Sequence, residues 1–207
     1  MGIGLFGGTF DPVHRGHIHV ATRILNLPQV ETLYFIPAFQ PPHKTSRYVT
    51  PYKKRLEWLR SVLARLPGAE ISRVEEERSG ISYTVTTVTH FRKMHPEEKI
   101  YLVLGMDMFL DLPNWKSPEM IIQEVSFIIF PRGEVDGKTA LQRVTNSFSD
   151  STAALMECEI LDTDTVDVSS TEIREAVRSG RPPGDFLPPE IRDDVTRFFQ
   201  QEMIHDQ

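Results

Sequence analysis

The 207-residue sequence contains one cysteine, Cys158, so no intramolecular disulfide can form. That fits a reducing compartment such as the cytosol. No apolar stretch is long enough to cross a bilayer. The start has no basic segment followed by an apolar run, so no signal peptide is expected. Met1-Gly2 opens like a myristoylation site, but Phe6 stands where Ser or Thr is needed. A basic surplus is also missing. The formal charge of −6 argues against a general nucleic-acid binder, although it leaves room for a local cationic pocket. There is no internal repeat and no low-complexity tract. Hydrophobic residues at 40% and charged residues at 25% suit a soluble globular chain. The length supports one sizeable core rather than two full domains. The expectation is a cytoplasmic protein with one domain over residues 1–207, ending in a small helical part from about residue 171.

Short apolar runs alternate with segments of helical period. Ile3–Phe6, Thr32–Ile36, Ile100–Leu104 and Ser126–Phe130 read as strands rich in β-branched and aromatic residues. Ala69–Ser72 is a weaker candidate, and Glu159–Leu161 adds a last short one. Helices are expected over His17–Leu25, Pro51–Leu66, Thr171–Arg178 and Pro188–Phe199. In the second of these, Pro51 takes a favoured first-turn position and Leu56, Leu59, Leu63 and Leu66 share a face. Tyr83–Thr89 has strand propensity but spaces Val85 and Val88 as a helix would. A parallel sheet needs a crossover before Ile100–Leu104, so a helix is expected there. The alternation predicts an α/β fold, a Rossmann-like doubly wound parallel sheet with helices on both faces. Arg132–Asp150 is the least patterned stretch and reads as variable surface.

Most of the chemical information lies in Gly7-Gly8-Thr9-Phe10-Asp11-Pro12-Val13-His14-Arg15-Gly16-His17. Two glycines after an apolar strand allow a tight turn and close approach of backbone N–H groups to an anion. His14 and His17, three residues apart at a helix start, lie about 60° apart around the axis and can face one pocket. A helix N-terminus with two imidazole donors suits phosphate oxygens, and Gly16 lets a phosphate lie near the backbone. Gly2, Gly4 and Gly7 match the spacing of the dinucleotide fingerprint, but they fall inside or before the first strand, where that fingerprint does not operate. A metal site using His14, His17 and His19 lacks an obvious second half and leaves the glycines without a role. Taken alone, the histidine pair also suits an ordinary surface turn.

A second constellation is Val168-Ser169-Ser170-Thr171-Glu172-Ile173-Arg174. Ser169 and Glu172 fit a capping box, so a helix starts there with N–H groups, hydroxyls and an arginine fork together. The same pattern also suits a plain capped surface helix. Asp162, Asp164 and Asp167 lack the glycine and terminal glutamate of a calcium loop and read as loop formers. Gln40-Pro41-Pro42-His43-Lys44 is a stiff extended loop whose lysine suits a phosphate. Gly105-Met106-Asp107 ends a strand, and ligands of open parallel sheets bind at such ends. There Asp107 can accept hydrogen bonds from ribose hydroxyls. Trp115 offers a stacking plate for a flat ring, although a packed tryptophan is the commoner case.

The string GGTFDPVHRGH resembles the signature of the nucleotidylyltransferase superfamily that carries H-x-G-H. More narrowly, it is similar to the bacterial nicotinate-mononucleotide adenylyltransferase family. P-P-H-K, S-Y-T, L-x-x-W and the intact S-S-T-x-I-R string follow in the order of that family, as far as about Pro189. The resemblance implies adenylyl transfer from ATP to nicotinate mononucleotide, giving nicotinate adenine dinucleotide and pyrophosphate. It implies that His14 and His17 contact the ATP phosphates, with His17 stabilising charge as the phosphoryl bond changes partners. Gly7, Gly8, Thr9, Phe10 and Gly16 would line the nucleotide cleft with Gly105 and Asp107. Ser169, Ser170, Thr171 and Arg174 would help hold ATP. His43 and Lys44 would border the phosphates and the mononucleotide. Tyr83 and Thr84 would receive the pyridine carboxylate or amide, and Trp115 would face the ring. Such transfer works by positioning and charge neutralisation, here by His14, His17, Lys44 and Arg174, with Mg²⁺ bridging phosphate oxygens and no metal held by the protein alone. One departure is Arg181–Pro188, where many members carry a more basic, tyrosine-containing segment. Rival readings are transfer to another phosphorylated acceptor and a nucleotide sensor without turnover.

Overall fold

A computed structural model describes residues 1–41, 49–163 and 168–205. Six parallel strands form one sheet in the order β3-β2-β1-β4-β5-β6, with β1 Gly2–Gly8, β2 Val30–Pro37, β3 Ala69–Ile71, β4 Lys99–Gly105, β5 Ser126–Phe130 and β6 Cys158–Ile160. The crossovers carry α1 Arg15–Leu25, α2 Tyr52–Leu63, α3 Val74–Arg78, α4 Thr84–Met94, α5 Met106–Asp111, α6 Pro118–Glu124, α7 Gly137–Thr145 and α8 Asp150–Ala153. After the sheet come α9 Ser170–Arg178 and α10 Pro189–His205.

Alternation along the strands divides the core. Ile3, Leu5, Ile100, Leu102, Leu104, Phe127 and Ile129 pack on one face with Val88 and Phe91 of α4 and Ile121 and Ile122 of α6. Phe6, Leu33, Phe35, Tyr101, Val103 and Ile128 pack on the other, with Ile24 of α1, Trp58 of α2, Ile173 of α9 and Phe199 of α10. Both faces are therefore covered, which is why the strands read as near-continuous apolar runs. Trp58 Nε1 donates to Asp194 Oδ2 at 2.7 Å, so α10 is tied to α2 as well as packed on it.

The doubly wound class and every expected strand are present, with ends shifted by one or two residues. Tyr83–Thr89 falls in a helix, because Val85, Val88 and Phe91 are buried on one side of α4. Packing there outweighs the β propensity of its threonines and valines. Pro51 caps α2 from outside, and Leu66 lies beyond its end. The expectation for Arg132–Asp150 needs correction. It contains α7, whose Ala140 and Val144, four apart, are fully buried against the sheet.

This strand order reverses direction between β1 and β4, so their carboxyl ends open a crevice rather than carrying adjacent crossovers. The expected site residues within the described part fall at strand ends, in loops and in the first turns of helices, with Gly7, Gly8 and Gly105 closing their strands and Arg174 one turn into α9.

Candidate active site

The glycines of the first motif do not follow the strand; Gly7 and Gly8 are its last two residues. The sharp turn falls on Phe10, whose φ of 49° is left-handed, an uncommon conformation for a residue with a side chain. Its ring is held by burial, edge-on to Phe6 at 5.7 Å and to His17 at 5.0 Å between centroids. The role of Gly8 is spatial: a Cβ there would come within 2.9 Å of the Phe10 ring.

Two arginines clamp this loop, one of them absent from the sequence expectations. Arg55 of α2 is 1% exposed and donates to three backbone carbonyls: Thr50 at 2.8 Å, Thr9 at 2.6 Å and Ala38 at 2.9 Å. It joins the ends of β1 and β2 to the start of α2. Its signal in the sequence is positional, because Arg55 shares the buried stripe of Trp58, Leu59 and Val62. The second clamp is Arg174 of α9. Its NH1 donates to the Asp11 carbonyl at 2.6 Å and lies 3.7 Å from Asp11 Oδ2, and its NH2 donates to Thr171 Oγ1 at 3.1 Å. Ser170 Oγ donates to the Pro12 carbonyl at 3.0 Å. The two sequence motifs, some 160 residues apart, are therefore one structural unit.

Helix α1 begins immediately after the turn, with His14 as its cap. The His14 backbone N–H donates to His17 Nδ1 at 3.2 Å. An Nδ1 that accepts leaves the ring proton on Nε2, so His17 is a neutral imidazole with an Nε2–H donor. The two rings stack, 3.7 Å between centroids and 30° apart. Burial pushes His14 down to about 4, helped by the Arg132 charge and opposed by Glu172. Burial also holds His17 well below the usual imidazole range, with His14 and Arg132 adding to it. Gly16 lies between the His14 ring and Val168, just before α9, where a Cβ would meet His14 at 3.1 Å and Val168 at 3.2 Å. His19 points elsewhere and pairs with Thr163 Oγ1 at 2.7 Å. Among the described residues, no three His, Cys, Asp or Glu side chains cluster as a metal site.

The expected capping box at α9 is formed: the Glu172 N–H donates to Ser169 Oγ at 3.2 Å, and the Ser169 N–H donates to Glu172 Oε2 at 2.8 Å. Across the crevice, Gly105 ends β4 and Asp107 lies in the first turn of α5. Arg132, two residues past the end of β5, approaches Asp107 Oδ2 at 3.4 Å. The sequence reading missed Arg132 by assigning it to variable surface; its signal is its position just beyond a strand end of a parallel sheet.

A second cluster occupies the same rim. Tyr83 caps α4 and Thr84 is its first residue. Ser82 Oγ accepts from the backbone N–H groups of Phe39 at 3.1 Å and Gln40 at 3.2 Å, which fastens the loop after β2 to the start of α4. Trp115 is half-buried, and its Nε1 donates to Asp111 Oδ2 at 3.2 Å. Lys116, next in the chain, places Nζ 4.3 Å from the centre of the Tyr83 ring, which ties this segment to the start of α4. His43 and Lys44 lie outside the described residues. Behind α9, a cavity of about 530 Å³ is lined by Val168, Glu172, Arg181 and Phe186. In the atypical 181–187 segment, Arg181 turns to Ser179 Oγ at 3.0 Å, and Asp185 Oδ1 lies 3.3 Å from Arg192.

Residues 5–176 match a family model described as cytidylyltransferase-like. A relative from Thermotoga sp. (strain RQ2) is 35% identical over 197 residues, 95% of this chain and 96% of the relative. It is named as a probable nicotinate-nucleotide adenylyltransferase. One from Bacillus pumilus with the same name is 33% identical, covering 99% of this chain and 98% of its own. Among solved structures, the Plasmodium falciparum nicotinic acid mononucleotide adenylyltransferase complexed with NaAD superposes with a TM-score of 0.76. It covers 95% of each chain at 18% identity, a likeness of fold.

Proposed function

We propose that this chain, which belongs to the cytidylyltransferase-like family, transfers the adenylyl group of ATP to nicotinate mononucleotide, releasing pyrophosphate and forming nicotinate adenine dinucleotide. The observation that carries this reading is the union of the two phosphate motifs. Arg174 and Ser170 bind the Asp11–Pro12 backbone and set the start of α9 beside His14 and His17 at the crevice. We further propose that one domain over residues 1–207 does this work in the cytoplasm.

In this account the triphosphate lies over the N-termini of α1 and α9. His17 Nε2–H and His14 donate to its oxygens as neutral imidazoles. They stabilise charge as it shifts, and neither has to lose a proton first. Ser169, Ser170, Thr171 and the α9 N–H groups complete the cradle, and Arg174 both shapes the loop and adds positive charge. Gly7, Gly8, Thr9, Phe10 and Gly16 form the floor. Gly105 and Asp107 receive the adenosine ribose. Tyr83, Thr84 and Trp115 take the pyridine and its carboxylate, with His43 and Lys44 serving the mononucleotide phosphate.

An oxygen of that phosphate attacks the α-phosphorus of ATP in line. The bond between the α-phosphorus and the bridging oxygen breaks, and that oxygen leaves with pyrophosphate. No covalent intermediate is required. Mg²⁺, bound with ATP, would supply positive charge that offsets the charge of the phosphates. In this account the ion would travel with the substrate phosphates rather than sit in a cage of protein ligands.

The test is product formation from purified protein, ATP and Mg²⁺, with nicotinate and nicotinamide mononucleotide in parallel. Dinucleotide and pyrophosphate in equal amounts, formed faster with the nicotinate substrate, are the expected result. ATP binding without pyrophosphate release from either acceptor would overturn the reading.

A further inference from the structure

Arg132 is a cation at the crevice to which the mechanism above assigns no part. It follows β5 by two residues, as Asp107 follows β4 by two, and β4 and β5 are neighbours with Gly105 opposite Phe130. The paired strand ends therefore present the two side chains to each other, with Arg132 NH1 3.4 Å from Asp107 Oδ2. Gly105 makes room for the carboxylate, since a Cβ there would come within 2.6 Å of Asp107 Oδ1. Both side chains are about half exposed, 52% for Arg132 and 48% for Asp107. An exposed ion pair of this kind is weak and is readily exchanged for a better partner. The end of β5 lies close to the imidazole pair, since the ring of Phe130 is 6.1 Å from that of Phe6 and Phe6 is 6.1 Å from His17, and the Arg132 charge acts on both His14 and His17. A guanidinium so placed opens on the same crevice as an anion bound by those histidines, beside the carboxylate of Asp107.

We propose that Arg132 is a phosphate-binding residue of the crevice, held by Asp107 in the free protein and released to the substrate's phosphates when a ribose engages that carboxylate. This rests on the reading of the crevice as an ATP site. It adds that ribose and phosphate recognition are coupled through one ion pair. A nucleotide with both parts then engages Arg132 fully. A bare phosphate compound has to compete with Asp107 for it.

The experiment is calorimetric titration of the full chain with inorganic pyrophosphate and with ATP. The proteins are wild type, Arg132→Gln, Arg132→Lys, Asp107→Asn and the double variant Arg132→Gln/Asp107→Asn. Arg132→Gln should weaken pyrophosphate binding about tenfold, in the range of a lost charged contact, and Arg132→Lys should recover part of it. Asp107→Asn should tighten pyrophosphate severalfold by freeing the guanidinium. That gain should vanish in the double variant, which is the coupling a double-mutant cycle isolates. Arg132→Gln binding both ligands within twofold of wild type would overturn the proposal. So would a gain from Asp107→Asn that persists undiminished without Arg132. Wild-type protein that binds neither ligand would instead overturn the ATP reading itself, and this inference with it. The exposed positions keep folding intact, and unchanged melting temperatures check that.

Discussion

The two clusters at the rim of the sheet are built differently. Around Phe10 and His14 the loop backbone is held by a dense set of protein hydrogen bonds, while Asp11 Oδ1, His14 Nδ1 and Thr50 Oγ1 are buried without one. Arg55 holds three carbonyls, Arg174 holds Asp11, Ser170 holds Pro12, and His17 holds the His14 N–H. Around Tyr83 and Trp115, those two side chains themselves make one indole hydrogen bond and lie under one lysine, with Ser82 fastening the neighbouring loop. The difference teaches where geometry must exist before the substrate arrives. Charge stabilisation during phosphoryl transfer depends on donors fixed in place. Stacking on a flat ring tolerates a side chain that settles on binding.

Arg55→Met breaks the comparison at its root. It removes a buried cation that satisfies three carbonyls and leaves those carbonyls unpaired. A loss of about 3 kcal/mol or more is expected. The melting temperature should fall by many degrees and turnover should fall with it. A variant melting within a degree or two of wild type would mean the clamp is dispensable.

His17→Ala separates chemistry from folding. Turnover should drop on the order of a hundredfold or more, as for loss of one preorganised donor. Thermal stability should change far less than in Arg55→Met. Full turnover with a normal fold would remove His17 from the mechanism.

Acid sharpens the same contrast. The folded protein holds His14 at about 4, below its ordinary 6.5, so the neutral ring is the form the fold favours. Its contribution is complete above pH 6.5 and is lost as pH falls towards 4, about 3 kcal/mol at the limit. Melting curves from pH 7 to 4 should show this loss in the wild type, and His14→Gln should flatten that part of the slope. An equal slope in both would place the acid sensitivity elsewhere.

Trp115→Ala carries the smallest effect on the fold. The KM for the mononucleotide should rise roughly tenfold, within the usual worth of ring stacking. The KM for ATP and the melting temperature should stay close to wild type. If the KM for ATP rose instead, the two clusters would have to trade substrates.

Much of this was legible in the sequence for definite reasons. Strands buried on both faces write themselves as runs such as Ile100–Leu104, and a capping box such as Ser169–Glu172 is local. What escaped depends on contacts distant in the chain. Nothing beside Phe10 in sequence says that it, rather than Gly7 or Gly8, takes the left-handed turn; the rings of Phe6 and Phe35 hold it there. Arg55 reads as an ordinary helical arginine until the Thr9 and Ala38 carbonyls are placed beside it. Arg132 gains significance only when β4 and β5 become neighbours. Short α7 has only two buried apolar residues among polar ones, too few for a visible period. The resemblance implied that Arg174 helps hold ATP, but its contact with Asp11, far off in the chain, was visible in neither resemblance nor spacing.

The central claim is a single in-line transfer by fixed neutral donors. Its most direct test is the stereochemistry at phosphorus, using ATP made chiral at the α-phosphorus with sulfur and following the configuration into the dinucleotide. Inversion is the result this account predicts. Retention would mean two successive displacements through an adenylylated side chain, and would contradict it.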